Sequence, residues 1–206
     1  MIARKFLKKF FFVHIPKTAG TSISTAILSS KKYRVNFFPS EHSTAIEIID
    51  QIGKDSKKYY SFSFVRNPWD RLNSLYYFLC QKKLSPQKGE YWDQSLLIKN
   101  GFKAWLLEGD FWPPYTNGLG PSFQKRTQLY FLKNEHNEVL VDDVFKYENL
   151  KVDLEILSNK IDVDFKNILT TKSTFRDHYK NDYCTETIDF VNHFHKEDIE
   201  KFGYKF

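Results

Sequence analysis

Short apolar runs alternate with helix-spaced segments along the first third of the chain. Phe10–Ile15 reads FFFVHI, a buried run of β-formers long enough for one strand. A helix follows over Ser22–Ser30, and Tyr33–Phe38 predicts a second strand. His42–Ile52 has helical spacing, with Ala45, Ile46, Ile48, Ile49 and Ile52 on overlapping apolar faces. Tyr59–Val65 (YYSFSFV) predicts a further strand. Pro68 suits the first position of a helix over Trp69–Gln81, where its missing N–H needs no partner. Strand and helix alternating in this way predict an α/β fold, a parallel sheet covered by helices.

The remainder is less regular. Asp93–Leu107 has helical character, and Gly109–Pro121 (GDFWPPYTNGLGP) reads as a loop rich in glycine and proline. Val139–Tyr147 returns to strand character, with a helix near Leu150–Lys160 after it. Residues Thr170–Asp182 are polar and basic. Thr185–Phe202 is expected as one amphipathic helix carrying Ile188, Val191, Phe194, Ile199 and Phe202. With no internal repeat and no low-complexity tract, a single domain over residues 1–206 is expected.

Composition changes this picture little. At 41% hydrophobic and 27% charged, the chain reads as an ordinary globular protein. The net charge of +6 suits a polyanionic partner and equally a solvated lysine-rich surface. Its distribution is more informative. Eight Lys or Arg residues precede Glu41, the first carboxylate. Such a start resembles a transit peptide in charge, but the Phe10–Ile15 strand runs directly into the strongest motif, which cleavage would remove. No apolar run approaches the ~18 residues of a membrane span. Cys80 and Cys184 lack metal-ligand spacing, so reduced thiols, a cytoplasmic location and no metal are expected.

The segment His14-Ile-Pro-Lys-Thr-Ala-Gly-Thr-Ser22 joins a buried strand to a helix. That placement aims backbone N–H groups and the positive end of a helix dipole at one point, where an anion fits. Gly20 allows close backbone approach, Thr21 and Ser22 add hydroxyls, and Lys17 adds a full charge. A P-loop kinase would need G-x-x-x-x-G-K-[ST]. Here Thr21 stands in the lysine's place, and the lysine has moved to the front of the turn. A plain strand-to-helix turn capped by Thr21 or Ser22 is the bland alternative.

HIPKTAGTS resembles the 5'-phosphosulfate loop of sulfotransferases that use 3'-phosphoadenosine 5'-phosphosulfate (PAPS), in the carbohydrate branch that includes heparan sulfate 2-O-sulfotransferase. Phe64-Val-Arg-Asn-Pro-Trp-Asp-Arg-Leu-Asn-Ser74 resembles that family's 3'-phosphate motif, whose core is an arginine at a strand end and a serine eight residues on, here Arg66 and Ser74. Physical reasoning agrees: ligands of open α/β sheets collect at the carboxyl ends of strands, and a planar guanidinium suits a phosphate. The resemblance covers nearly the whole chain and implies a P-loop-like, three-layer sulfotransferase fold. It implies Pro16, Lys17, Thr18, Ala19, Gly20, Thr21 and Ser22 around the phosphosulfate. Tyr147, in Lys146-Tyr-Glu-Asn-Leu150, is implied near the adenine, although a tyrosine that simply ends a core strand fits it equally. Arg176, in Lys172-Ser-Thr-Phe-Arg176, is implied near the 3'-phosphate, although a solvated arginine fits it equally. The tail Asp198–Tyr204 also matches a common family ending.

The implied reaction moves a sulfuryl group from PAPS to an acceptor hydroxyl by in-line displacement and leaves the desulfated product, PAP. Lys17 and the loop amides would stabilise the leaving oxygen. His42 is the expected base, since an imidazole titrates near working pH, with Glu41 as the runner-up. A histidine that only caps its helix is the bland alternative. His14, on the strand, reads as a structural hydrogen-bonding group. A carbohydrate is the expected acceptor, and Phe111, Trp112 and Tyr115 with Lys125, Arg126 and Gln128 after them would suit it, although a loop whose aromatics simply pack onto the core fits equally; peripheral contact with a lipid-linked glycan fits the same reading. Three rivals stand beside it: a nucleotide or small-molecule kinase, a basic nucleic-acid-binding module, and a homologue that binds the nucleotide without catalysis. The second has no RNP-like strand or helix-turn-helix pattern behind it, so no nucleic-acid partner is expected. Oligomeric state and the acceptor's identity are not legible.

Overall fold

The computed structural model describes residues 9–30, 42–83, 99–109, 122–166, 168 and 177–206. The expected strand Tyr33–Phe38, most of the Gly/Pro loop with Phe111, Trp112 and Tyr115, and the Lys172–Arg176 stretch lie outside them. The chain divides into two compact units, Met1–Val65 with Leu129–Lys172, and Arg66–Gln128 with Ser173–Phe206.

The first unit is built on a parallel sheet. Strands β1 (Phe10–Val13), β2 (Tyr60–Val65) and β3 (Asp143–Lys146) lie in the order β1-β2-β3, both pairs parallel. Helices α1 (Gly20–Ser29), α2 (Ala45–Ile52), the short α5 (Leu129–Leu132) and α6 (Leu150–Ile161) flank it. The period of two explains the sheet's interior. Phe12, Phe62, Phe64 and Phe145 share one core cluster with Ile23 and Ile27 of α1 and Leu154, Leu157 and Ile161 of α6. Their rings stack across strands, Phe12 on Phe62 at 4.9 Å and Phe64 beside Phe145 at 5.2 Å between centroids. Each buried ring contributes roughly 1.5–3 kcal/mol by area. Phe11, Val13, Ser61, Ser63 and Val65, at the alternate positions, are buried too. The two serines are tolerated there because they are satisfied. Ser63 donates to the Val13 carbonyl at 2.7 Å, and Ser61 donates through its N–H and its hydroxyl to Asp142.

The expected strand over Val139–Tyr147 shortens to Asp143–Lys146. Val139 instead pairs antiparallel with Lys133, and Tyr147 begins a 3-10 turn (Tyr147–Asn149). That pairing turns the chain back after α5, so ladder geometry begins only at Asp143.

The second unit is helical. Helix α3 (Pro68–Lys83) starts at Pro68 as the sequence implies. Asn67 caps it, its side-chain oxygen accepting from the N–H groups of Trp69 and Asp70. Trp69, Leu72, Leu75, Tyr76 and Leu79 are its buried stripe, and Tyr76 meets Phe102 and Trp105 of α4 (Phe102–Glu108). The single C-terminal helix expected over Thr185–Phe202 is two helices, α7 (Thr185–Phe194) and α8 (Lys196–Phe202). They part at His195, whose φ of −111° leaves the helical region. Its ring is wholly buried and donates from Nε2 to the Gln124 carbonyl at 2.7 Å. A long-range contact overrides the helical periodicity there.

Candidate active site

One candidate region, in the first unit, lies where β1 ends. His14 and Ile15 leave the strand, Pro16–Ala19 form a turn, and α1 begins at Gly20. The turn is strained: Lys17 has φ 70° and Ala19 φ 69°, both left-handed and neither a glycine. Such a conformation costs about 1–2 kcal/mol per residue and is characteristic of functional turns. Thr18 is buried, and its hydroxyl closes the turn by donating to the Ile15 carbonyl at 2.8 Å. What Thr18 offers a ligand is therefore its backbone. The capping alternative for Thr21 and Ser22 is overturned. Ala19 holds the cap position with no side-chain cap bond, and both hydroxyl residues lie inside the first turn of α1. An α1 start without a side-chain cap keeps its dipole directed at whatever sits before the turn.

Gly20 is also required by packing within the protein. A Cβ there would stand 1.8 Å from the His14 ring. The close approach is to the imidazole, which fills the space under the turn. His14 is 8% exposed, stacks on Phe12 with ring planes 10° apart, and meets the His42 ring at 4.4 Å. Burial pushes its pKa down to about 3, with the nearby His42 and Lys17 charges adding. His14 is thus a neutral structural ring.

His42 is also not a helix cap. Thr44 caps α2 in a reciprocal box with Glu47. His42 precedes it in a left-handed conformation, φ 77°, and its Nδ1 lies 2.9 Å from the His14 carbonyl oxygen. A carbonyl only accepts, so Nδ1 carries the hydrogen, and the neutral ring holds its lone pair on Nε2. His14 therefore brings Lys17 and His42 into one neighbourhood of the first unit. Tyr147 stands partly buried in the same unit, directly after the carboxyl end of β3. Glu41 lies outside the described residues.

A second candidate region, in the second unit, holds Arg66, the residue after β2, whose side chain is 8% exposed. Asp70 accepts from its Nε at 2.6 Å, one helical turn on. Ser74 is buried a further turn along the same face of α3. Arg176 is outside the described residues. Gln128 and Arg126, expected to meet the acceptor, are buried at 0% and 1% exposure. Arg126 gives its carbonyl to Arg71, and Gln128 is bonded to the main chain of Arg66. Neither serves as an acceptor-side donor in this structure. The sequence reading missed Asp70 as a partner of Arg66, although an acid four residues downstream at a helix start was the available signal.

Among the described residues no group of three or more His, Cys, Asp or Glu could hold a metal ion, and no helix is long and apolar enough to cross a membrane. Among the described residues Cys80 and Cys184 form no disulfide. A strand that runs through a turn into a helix N-terminus is an arrangement that favours anions in general. The model of the Sulfotransferase family matches residues 2–205, and the chain belongs to that family. No curated protein and no solved structure matches it.

Proposed function

We propose that the chain transfers a sulfuryl group from PAPS to a hydroxyl of a carbohydrate. The observation that carries this reading is the strained Pro16–Ala19 turn before α1, with His42 held beside it in a single tautomer by the His14 carbonyl. The loop Pro16–Ser22 takes the 5'-phosphosulfate, Arg66 and Ser74 take the 3'-phosphate, and Tyr147 lies against the adenine. Arg176 adds a second cation to the 3'-phosphate.

The acceptor oxygen attacks sulfur as its proton passes to Nε2 of His42. The bond from sulfur to the 5'-phosphate oxygen breaks, and PAP leaves with the electron pair. Lys17 and the amides of the turn meet the charge that builds on that oxygen. Glu41 is the second candidate for the base. The direct test is PAP release from PAPS in the presence of a panel of hydroxyl-bearing saccharides. Release that depends on acceptor, and that Lys17→Ala loses, supports the reading. Phosphoryl transfer from ATP with no release from PAPS would overturn it.

A further inference from the structure

Arg66 is the first residue beyond β2, and the described ladder to β3 ends one residue earlier, at Val65 and Lys146. Its backbone N–H and C=O are buried with the residue and need partners. Gln128 supplies both. Its Oε1 accepts from the Arg66 N–H at 2.8 Å, and its Nε2 donates to the Arg66 carbonyl at 2.8 Å. A primary amide has the donor and acceptor of a peptide group side by side, so Gln128 extends the strand's hydrogen bonding by one residue without a strand. Only one amide orientation satisfies both bonds.

Gln128 is itself fixed. Its backbone N–H donates to Asp198 Oδ2 at 2.6 Å, and its Nε2 lies 3.4 Å from the same oxygen. Asp198, on α8, is fully buried. The rest of this strap is held by the same end of the chain: Thr127 donates to Glu197 at 2.6 Å, and Gln124 accepts from His195. Burying a carboxylate is costly, and an apolar residue of similar size would fill the volume with less penalty. A polar network imposes orientation, which packing alone does not.

We propose that Gln128 and Asp198 are positioning residues for the donor's 3'-phosphate: Asp198 fixes Gln128, and Gln128 fixes the main chain of Arg66 so that its guanidinium, gripped at Nε by Asp70, meets that phosphate. This rests on the assignment of Arg66 to PAPS made above. A preset arginine loses less freedom when it binds, so the network raises affinity for the 3'-phosphate alone.

Calorimetric titration with PAP and with adenosine 5'-monophosphate, which lacks that phosphate, separates positioning from mere structural support. Wild type is expected to prefer PAP, and Arg66→Ala to lose the preference. Gln128→Met, which keeps the bulk and removes both bonds, is expected to weaken PAP about tenfold, the effect of one charge-assisted hydrogen bond, with adenosine 5'-monophosphate unchanged. Asp198→Asn keeps an acceptor for the Gln128 N–H and is expected to lie between wild type and Gln128→Met; it also serves where the Met variant does not fold. Equal weakening of both nucleotides in the two variants, or unchanged binding of both, would overturn the proposal. A wild type that does not distinguish the nucleotides would instead remove the donor assignment beneath it.

Discussion

The two candidate regions, the turn after β1 in the first unit and the surroundings of Arg66 in the second, are built from different material. The turn after β1 works through main chain: Lys17 and Ala19 are bent into left-handed geometry, Thr18 turns its hydroxyl inward, and α1 starts without a side-chain cap. The region around Arg66 works through side chains: Asp70 on the guanidinium, Gln128 on the peptide, Asp198 on Gln128. A backbone site is sensitive to volume and φ. A side-chain site is sensitive to the loss of single polar atoms. In the proposed function the turn region also holds the reacting groups, so its variants should change turnover, whereas those around Arg66 should change donor affinity.

The largest expected effect comes from His42→Ala, which should cut turnover by about 10²–10⁴ while PAP affinity persists, as for loss of a general base. Unchanged turnover would remove His42 from the mechanism and bring Glu41 forward. Lys17 sharpens the contrast between side chain and backbone. Lys17→Ala and Lys17→Gly should each lose about 10²–10³ in turnover. The glycine variant should nevertheless unfold at higher denaturant than the alanine one, by roughly 1 kcal/mol, because glycine accepts positive φ freely. Equal stability of the two would mean that the turn carries no strain.

Gly20→Ala comes next. Its Cβ must displace the His14 ring, which should cost about 1–3 kcal/mol in a denaturant melt. A stabilised Gly20→Ala protein would show that the ring moves away freely. The last effect is on pH, and it leaves the folded structure at neutral pH untouched. His14 stays neutral in the fold to about pH 3 but takes up a proton in the unfolded chain below about 6.5. The unfolded state thus binds the extra proton, and stability present above pH 6.5 is lost as pH falls towards 3, at up to about 1.4 kcal/mol per unit. Between pH 7 and pH 5, wild type should lose about 2 kcal/mol more than His14→Asn by urea unfolding. Equal losses would locate the acid sensitivity elsewhere.

Local signals carried the parts of this molecule that were legible in its sequence. β1, β2, α3 and α6 follow from alternation, from the Asn67-Pro68 start and from helical spacing, all within a few residues of the chain. The phosphate turn was equally local. What escaped prediction depends on partners far away in sequence. The break at His195 is set by the Gln124 carbonyl, and the burial of Gln128 by Asp198, 70 residues on. The packing of the His14 ring against Gly20 was not legible either. Periodicity gives no hint that the imidazole just after β1 packs against the start of the helix that follows.

The central claim is tested most directly by titrating the wild-type protein with PAP, and separately with ATP and magnesium. The account requires PAP to bind without any divalent ion and more tightly than ATP. Tight binding of magnesium–ATP with no detectable binding of PAP would contradict it.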